Sequence, residues 1–308
     1  MSAWTTDQIS DQSGRRVVVT GASSGLGEIT ARELARTGAQ VVLAVRNPVK
    51  GEASAARIRE AIPGALVEVA KLDLSSLDSV RTFVDQLLAQ SPTLDLLVNN
   101  AGIMMTPAST TADGYELQLG TNHLGHFALT GLLLDALGRG TKPRVVTLSS
   151  IAHKSGEINF ADLQLAHGYS PTKAYSQSKL ANTIFGIELD RRLRAAGSPI
   201  LSLLAHPGYS ATNLQSTGPT GMGARVMKIG NALIAQNADR GALPQLFAAT
   251  APTVQGGQFF GPSGFGELRG APTEVQAIPA AYDPTIAHQL WSVSEGLTGV
   301  TFLAAYSK

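Results

Sequence analysis

The sequence predicts a doubly wound α/β domain: a parallel sheet of about seven strands with helices on both faces. Short β-branched apolar runs alternate with longer amphipathic stretches along most of the chain. The runs are continuously apolar, as strands covered on both faces are. No linker, repeat or low-complexity tract divides the 308 residues, so a single domain over 1–308 is expected.

Taken in order, Arg16–Thr20, Gln40–Val45, Leu66–Val69, Leu94–Val98, Arg144–Leu148 and Ile200–Leu204 read as buried strands, with a last one near Gln258–Phe260. Helical spacing covers 25–38, 48–62, 76–90, 112–138, 173–196 and 239–251. Ser75 with Asp78 three residues later resembles a capping box opening the third helix. Strand–helix alternation of this kind implies right-handed crossovers. Residues 1–14 form an N-terminal extension and 263–308 a C-terminal one. The rhythm breaks at Ile151–Thr172, Tyr209–Asn237 and Pro252–Pro284, and connections of that length are usually functional. Residues 209–237, where apolar side chains alternate with glycines, read as a lid over an apolar substrate.

Composition excludes several classes. With 24 basic and 23 acidic residues the net charge is +1, which leaves no basic field for nucleic acid. The absence of cysteine removes thiolate catalysis, disulfides and Cys-ligated metal. No run is long and apolar enough for a membrane span, and the first 14 residues carry two acids and no signal-like core. A cytoplasmic protein is expected. His123 and His126 lie three apart on a helix but lack a third ligand, so no metal is expected.

The ligand signals sit at strand ends. Gly21-Ala22-Ser23-Ser24-Gly25-Leu26-Gly27 follows the first strand and opens the first helix. Glycines there let the backbone approach a pyrophosphate, and the helix N-terminus favours its charge. The second strand ends Ala44-Val45-Arg46-Asn47, without the carboxylate that holds an NAD ribose. Arg46 suits a 2′-phosphate, so NADP is the expected cofactor of this Rossmann-type domain. Asn99-Asn100-Ala101-Gly102 and Asp73 end further strands at the same sheet edge.

Chemistry-bearing residues follow. Ser149 and Ser150 end the fifth strand, and Tyr175 and Lys179 fall at i and i+4 on one helix face. A second pair, Tyr169 and Lys173, is interrupted by Pro171, which disfavours the helical turn needed to stack them. A phenol titrates near pH 10, and a lysine ammonium one turn away is expected to lower it.

Glycine turn, NNAG, a serine after strand five and Tyr-x-x-x-Lys, in that order, resemble the short-chain dehydrogenase/reductase family over roughly residues 14–262. The resemblance implies Ser150, Tyr175, Lys179 and Asn122 as catalytic, Asn122 holding the lysine's water relay. It implies cofactor contacts from Gly21, Ser23, Ser24, Gly25, Leu26, Gly27, Arg46, Asp73, Leu74, Asn100, Ala101 and Gly102. Tyr175, Lys179, Pro207, Gly208, Ser210 and Thr212 would join them at the nicotinamide. The implied strand order is 3-2-1-4-5-6-7. Tyr175 follows Ser150 by 25 residues, and the intervening IAHKSGEINFADLQ resembles the retinol-dehydrogenase-like and WW-domain-oxidoreductase-like branch. An NADP-dependent dehydrogenase or reductase acting on an alcohol or carbonyl of an apolar small molecule is therefore expected. A C=C reductase of the protochlorophyllide-reductase type and a non-catalytic NADP sensor are the alternatives. The resemblance also allows a homodimer paired through long helices.

Overall fold

Residues 3–209 and 237–303 are described by a computed structural model of the chain. Their strands are β1 Arg16–Thr20, β2 Gln40–Val45, β3 Val67–Lys71, β4 Leu96–Asn99, β5 Arg144–Leu148, β6 Leu201–Ala205, β7 Phe259–Pro262 and β8 Pro272–Glu274. They form one sheet in the order β3-β2-β1-β4-β5-β6-β7-β8, parallel throughout except that β8 runs antiparallel to β7. The order matches the expectation for the first seven strands. The eighth was not expected, since its Pro272-Thr273-Glu274 has neither apolar length nor alternation.

Why these runs sit centrally is visible in β1. Val17 and Val19 face one core with Leu34 and Ala31, while Val18 faces the other with Phe83 and Phe127. Each fully buried side chain of this size is worth roughly 1.5–3 kcal/mol relative to exposure. A strand apolar on both sides is stable only where helices cover both.

The longer helices are α1 Gly25–Arg36, α2 Pro48–Ala61, α3 Leu77–Gln90, α4 Gly125–Gly138, α5 Pro171–Ala195, α6 Leu243–Thr250 and α7 Pro284–Thr298. Ser76, not Ser75, caps α3 by accepting from Ser79 N–H; the Ser75 hydroxyl is committed to Asp73. The stretch expected as one helix over 112–138 begins at Leu117 and passes through a π-helical turn, Gly120–Leu124, before α4. Such turns concentrate at functional sites. The helix expected over 239–251 is two pieces, Ala238–Gly241 and α6, with Pro244 in the first turn of the second.

α7 was read only as C-terminal extension. It is capped by Asp283, which accepts from Thr285 N–H, and closed by Gly299 at φ +64. Its Trp291 packs edge-on to Phe127 at 5.1 Å and under the Arg192 guanidinium at 4.2 Å, completing one core. Among the described residues no helix is long and apolar enough to cross a membrane.

Candidate active site

The strand order reverses between β1 and β4, and open α/β sheets bind ligands at that point beyond the carboxyl ends of their strands. A cleft of about 980 Å³ lies there, bordered by residues that follow β1, β2, β3, β4 and β5, with Tyr175, Lys179 and Pro207 at one end.

The glycine turn is built for close approach. Gly21 and Gly25 are left-handed, at φ +68 and +56. A Cβ on Gly21 would lie 2.9 Å from Ala101 Cα, and one on Gly27 only 2.5 Å from Asn100 Nδ2. Ser24 opens α1 without a side-chain cap bond, which leaves the first-turn N–H groups available to an anion. These residues fit a dinucleotide pyrophosphate.

Thr20 ties this turn to NNAG. Its Oγ1 accepts from the N–H groups of Asn100 and Ala101, each at 2.9 Å, and Asn100 Nδ2 donates to Thr20 O at 2.7 Å. Thr20 Oγ1 also meets His126 Nε2 at 2.9 Å, while His126 Nδ1 reaches Asn122 O at 2.9 Å. A carbonyl can only accept, so Nδ1 carries the proton and Nε2 accepts from Thr20. Burial drives His126 down to about 4 despite the bond to Asn122, so it stays neutral. His123, pushed down to about 3 by burial, bonds Ser294 Oγ instead. The two histidines thus serve different partners.

At the end near β2 and β3 the lining includes Arg46, Asn47, Lys50, Arg57, Lys71, Asp73 and Leu74. Asn47 caps α2, accepting from Lys50 N–H at 3.1 Å. Arg57 forks onto Glu28 with two bonds of 2.7 Å. Asp73 Oδ1 accepts from Ser75 N–H and Oγ, so this residue both shapes a turn and borders the cleft. Sequence reading found Arg46 and Asp73 but missed Lys50, Arg57 and Lys71. Lys50 and Arg57 lie seven apart, one face of two helical turns, a spacing that was available.

The opposite end is drier. Tyr175 is 7% and Lys179 4% exposed. Lys179 Nζ lies 5.9 Å from the centre of the Tyr175 ring and donates to Leu148 O at 3.3 Å. Burial pushes Lys179 down to about 8. Burial also raises the Tyr175 phenol, and a hydrogen bond with Ser150 only partly offsets this. The phenol is thus raised rather than depressed, because desolvation of the hydroxyl outweighs its hydrogen bond with Ser150. Ser149 is spent on Lys179 O and Thr183 Oγ1, whereas Ser150 caps the turn Ile151–Ser155 and faces Tyr175. Asn122 is fully buried behind Gly102, its amide bonded to both backbone groups of Ile103.

The competing pair is separated by the helix start. Ser170 caps α5 and Pro171 is its first residue, so Tyr169 stands outside the helix and Lys173 within it. Tyr169 donates to Thr106 O at 2.9 Å and accepts from Gln118 at 3.0 Å. Pro207 lines the cleft and Gly208 follows it at φ +64. Ser210, Thr212 and residues 210–236 of the expected lid lie outside the described residues.

Comparison with known proteins agrees. A short chain dehydrogenase family model matches residues 15–221. Mouse retinol dehydrogenase 14 is 39% identical over 301 residues, covering 93% of this chain and 86% of that protein. Mouse polyprenol dehydrogenase is 40% identical, covering 94% and 85%. Among solved structures, an uncharacterised protein from Mycobacterium paratuberculosis is 47% identical with a TM-score of 0.82, covering 98% and 99% of the two chains. The Pseudomonas aeruginosa RhlG/NADP complex is 26% identical with a TM-score of 0.64, covering 81% and 94%. The chain belongs to the short-chain dehydrogenase family of nicotinamide-dependent oxidoreductases, in its retinol-dehydrogenase-like branch.

Proposed function

We propose that this chain is an NADP(H)-dependent oxidoreductase acting on an alcohol or carbonyl group of an apolar small molecule, with Tyr175 as acid–base. The observation that carries this reading is the burial of Tyr175 and Lys179 one helical turn apart beside Ser150, at the dry end of the cleft. When bound, the nicotinamide supplies or accepts the hydride. Tyr175 gives its proton to the substrate oxygen during reduction and takes one during oxidation. Ser150 hydrogen-bonds that oxygen and orients it. Below about pH 8 Lys179 is an ammonium, and its charge steadies the phenolate left after proton donation.

NADP rather than NAD is supported by charge. Arg46, Lys50, Arg57 and Lys71 border the cleft near β2 and β3, and Asp73 is the one carboxylate among its described lining residues. A 2′-phosphate is favoured in such a field. An apolar substrate is supported by relatives named for retinol and polyprenol, both apolar alcohols. A turnover screen with NADPH and NADP⁺ against alcohols, ketones, retinoids and enones tests this. Turnover of apolar alcohols or carbonyls is expected. Activity confined to enones would replace the assignment with C=C reduction.

A further inference from the structure

The connection between β7 and β8 reaches the site without lining the cleft. Within it Gly266 and Glu267 are both left-handed, at φ +62 and +58. Glycine tolerates that backbone; glutamate seldom adopts it, and such residues persist where their surroundings hold them. Glu267 is held by its carboxylate. Oε1 accepts from Lys154 Nζ at 2.6 Å and Oε2 from His206 Nε2 at 2.9 Å.

The two partners belong to different parts of the site. Lys154 lies in the turn that Ser150 caps, and the neighbouring His153 ties that turn to Ser150 O through both its N–H (3.0 Å) and Nδ1 (2.6 Å). His206 is fully buried after β6, immediately before cleft-lining Pro207. Gly208 N–H donates to His206 Nδ1 at 3.1 Å, so Nδ1 carries no proton and Nε2–H is the donor to Glu267. The main chain repeats the grip. Tyr209 N–H donates to Leu268 O at 2.9 Å, and a Cβ on Gly208 would lie 2.8 Å from Glu267 O.

We infer that Glu267 is a positioning residue: its carboxylate braces the Ser150 turn against the Pro207 segment and so sets the gap in which substrate meets nicotinamide. The naming of those two faces rests on the proposed function; the brace itself does not. The bond from His206 holds the Glu267 carboxyl at about 2, with Lys154 adding to it against the effect of burial. It therefore stays ionised at every ordinary pH, a fixed brace rather than a switch.

Amide hydrogen exchange on the cofactor-free protein, paired with kinetics and the emission of bound NADPH, tests it. In Glu267→Ala, exchange is expected to quicken at Gly208, Tyr209 and across 151–155. There kcat should fall about tenfold, as small misplacements of reacting groups do, with KM changing less. The nicotinamide emission should shift. Glu267→Gln keeps an acceptor for His206 and should recover most protection at Gly208, whereas Lys154→Met should loosen 151–155 alone. Unchanged exchange in Glu267→Ala overturns the brace. Faster exchange with wild-type kcat and emission overturns its positioning role. A wild-type protein that neither binds NADPH nor turns over would instead sink the proposed function, with exchange still deciding the brace. If Glu267→Ala does not fold, the Gln and Lys154 variants carry the same comparison.

Discussion

The two ends of the cleft differ in how much water reaches their charges. Near β2 and β3, Arg46 is exposed, and Arg57 keeps 53% of its side chain accessible even while paired with Glu28. At the other end Tyr175 and Lys179 are almost wholly buried, and both have shifted protonation equilibria. Charges in water act as screened, independent anchors, suited to gripping a phosphate. Groups out of water hold a proton on altered terms, which proton transfer requires. Under the proposed function, one groove separates recognition from chemistry by solvation.

The sharpest way to break this contrast is to remove the buried proton. Tyr175→Phe should lower turnover by about 10²–10⁴-fold while NADPH still binds. Tyr169→Phe should leave turnover intact and lose only about 1 kcal/mol of stability with its bonds to Thr106 and Gln118. Steady-state kinetics, NADPH fluorescence titration and thermal melts separate the two. Inactivation by the Tyr169 change would invert the assignment.

Lys179 gives the next largest effect, on stability as well as rate. Its folded value, about 8, lies below its ordinary 10.5, so the fold disfavours the ammonium. Between those values the unfolded chain holds a proton that the folded chain has released, so this group's contribution to stability rises with pH across that window. Below about pH 8 the full penalty applies, roughly 3 kcal/mol. Lys179→Met should therefore melt higher than the parent at pH 7, with the advantage shrinking as pH rises from about 8 to 10.5, while turnover falls at least about 100-fold. A variant that melts lower at pH 7 would show the ammonium to be stabilised by its surroundings.

The smallest effect belongs to the wet end. Arg46→Asp should weaken NADP(H) about tenfold, the worth of one charged hydrogen bond, and the difference should shrink as salt is raised. Equal affinity of the unchanged protein for NAD and NADP would remove Arg46 from the site.

Much of this was legible because the signals are local. Gly21, Gly25 and Gly27 stand on a turn that must follow β1, and Ser170-Pro171 open the helix that carries Tyr175 and leave Tyr169 outside it. The start and stop of α7 were written just as locally, as Asp283-Pro284 and Gly299. They were passed over because the stretch before them is rich in glycine and proline. Lys50, Arg57 and Lys71 were missed for a different reason: a basic residue on a helix or strand end looks the same whether it faces solvent or a cleft.

The sequence by itself determined the strand–helix alternation and the residues at the strands' carboxyl ends, while the order of the first seven strands came only from the family resemblance. Periodicity and glycine placement act through the nearest turn of chain, and both survive in one dimension. Only the tertiary structure showed that Ser149 is the committed hydroxyl of the serine pair, because Thr183 and the Lys179 carbonyl arrive from α5. It likewise decided the neutrality of His126 and the joining of Glu267 to His206 and Lys154 across 61 and 113 residues of chain. Desolvation and hydrogen-bond partnership depend on what packs nearby in space, and spacing along the chain carries no record of that.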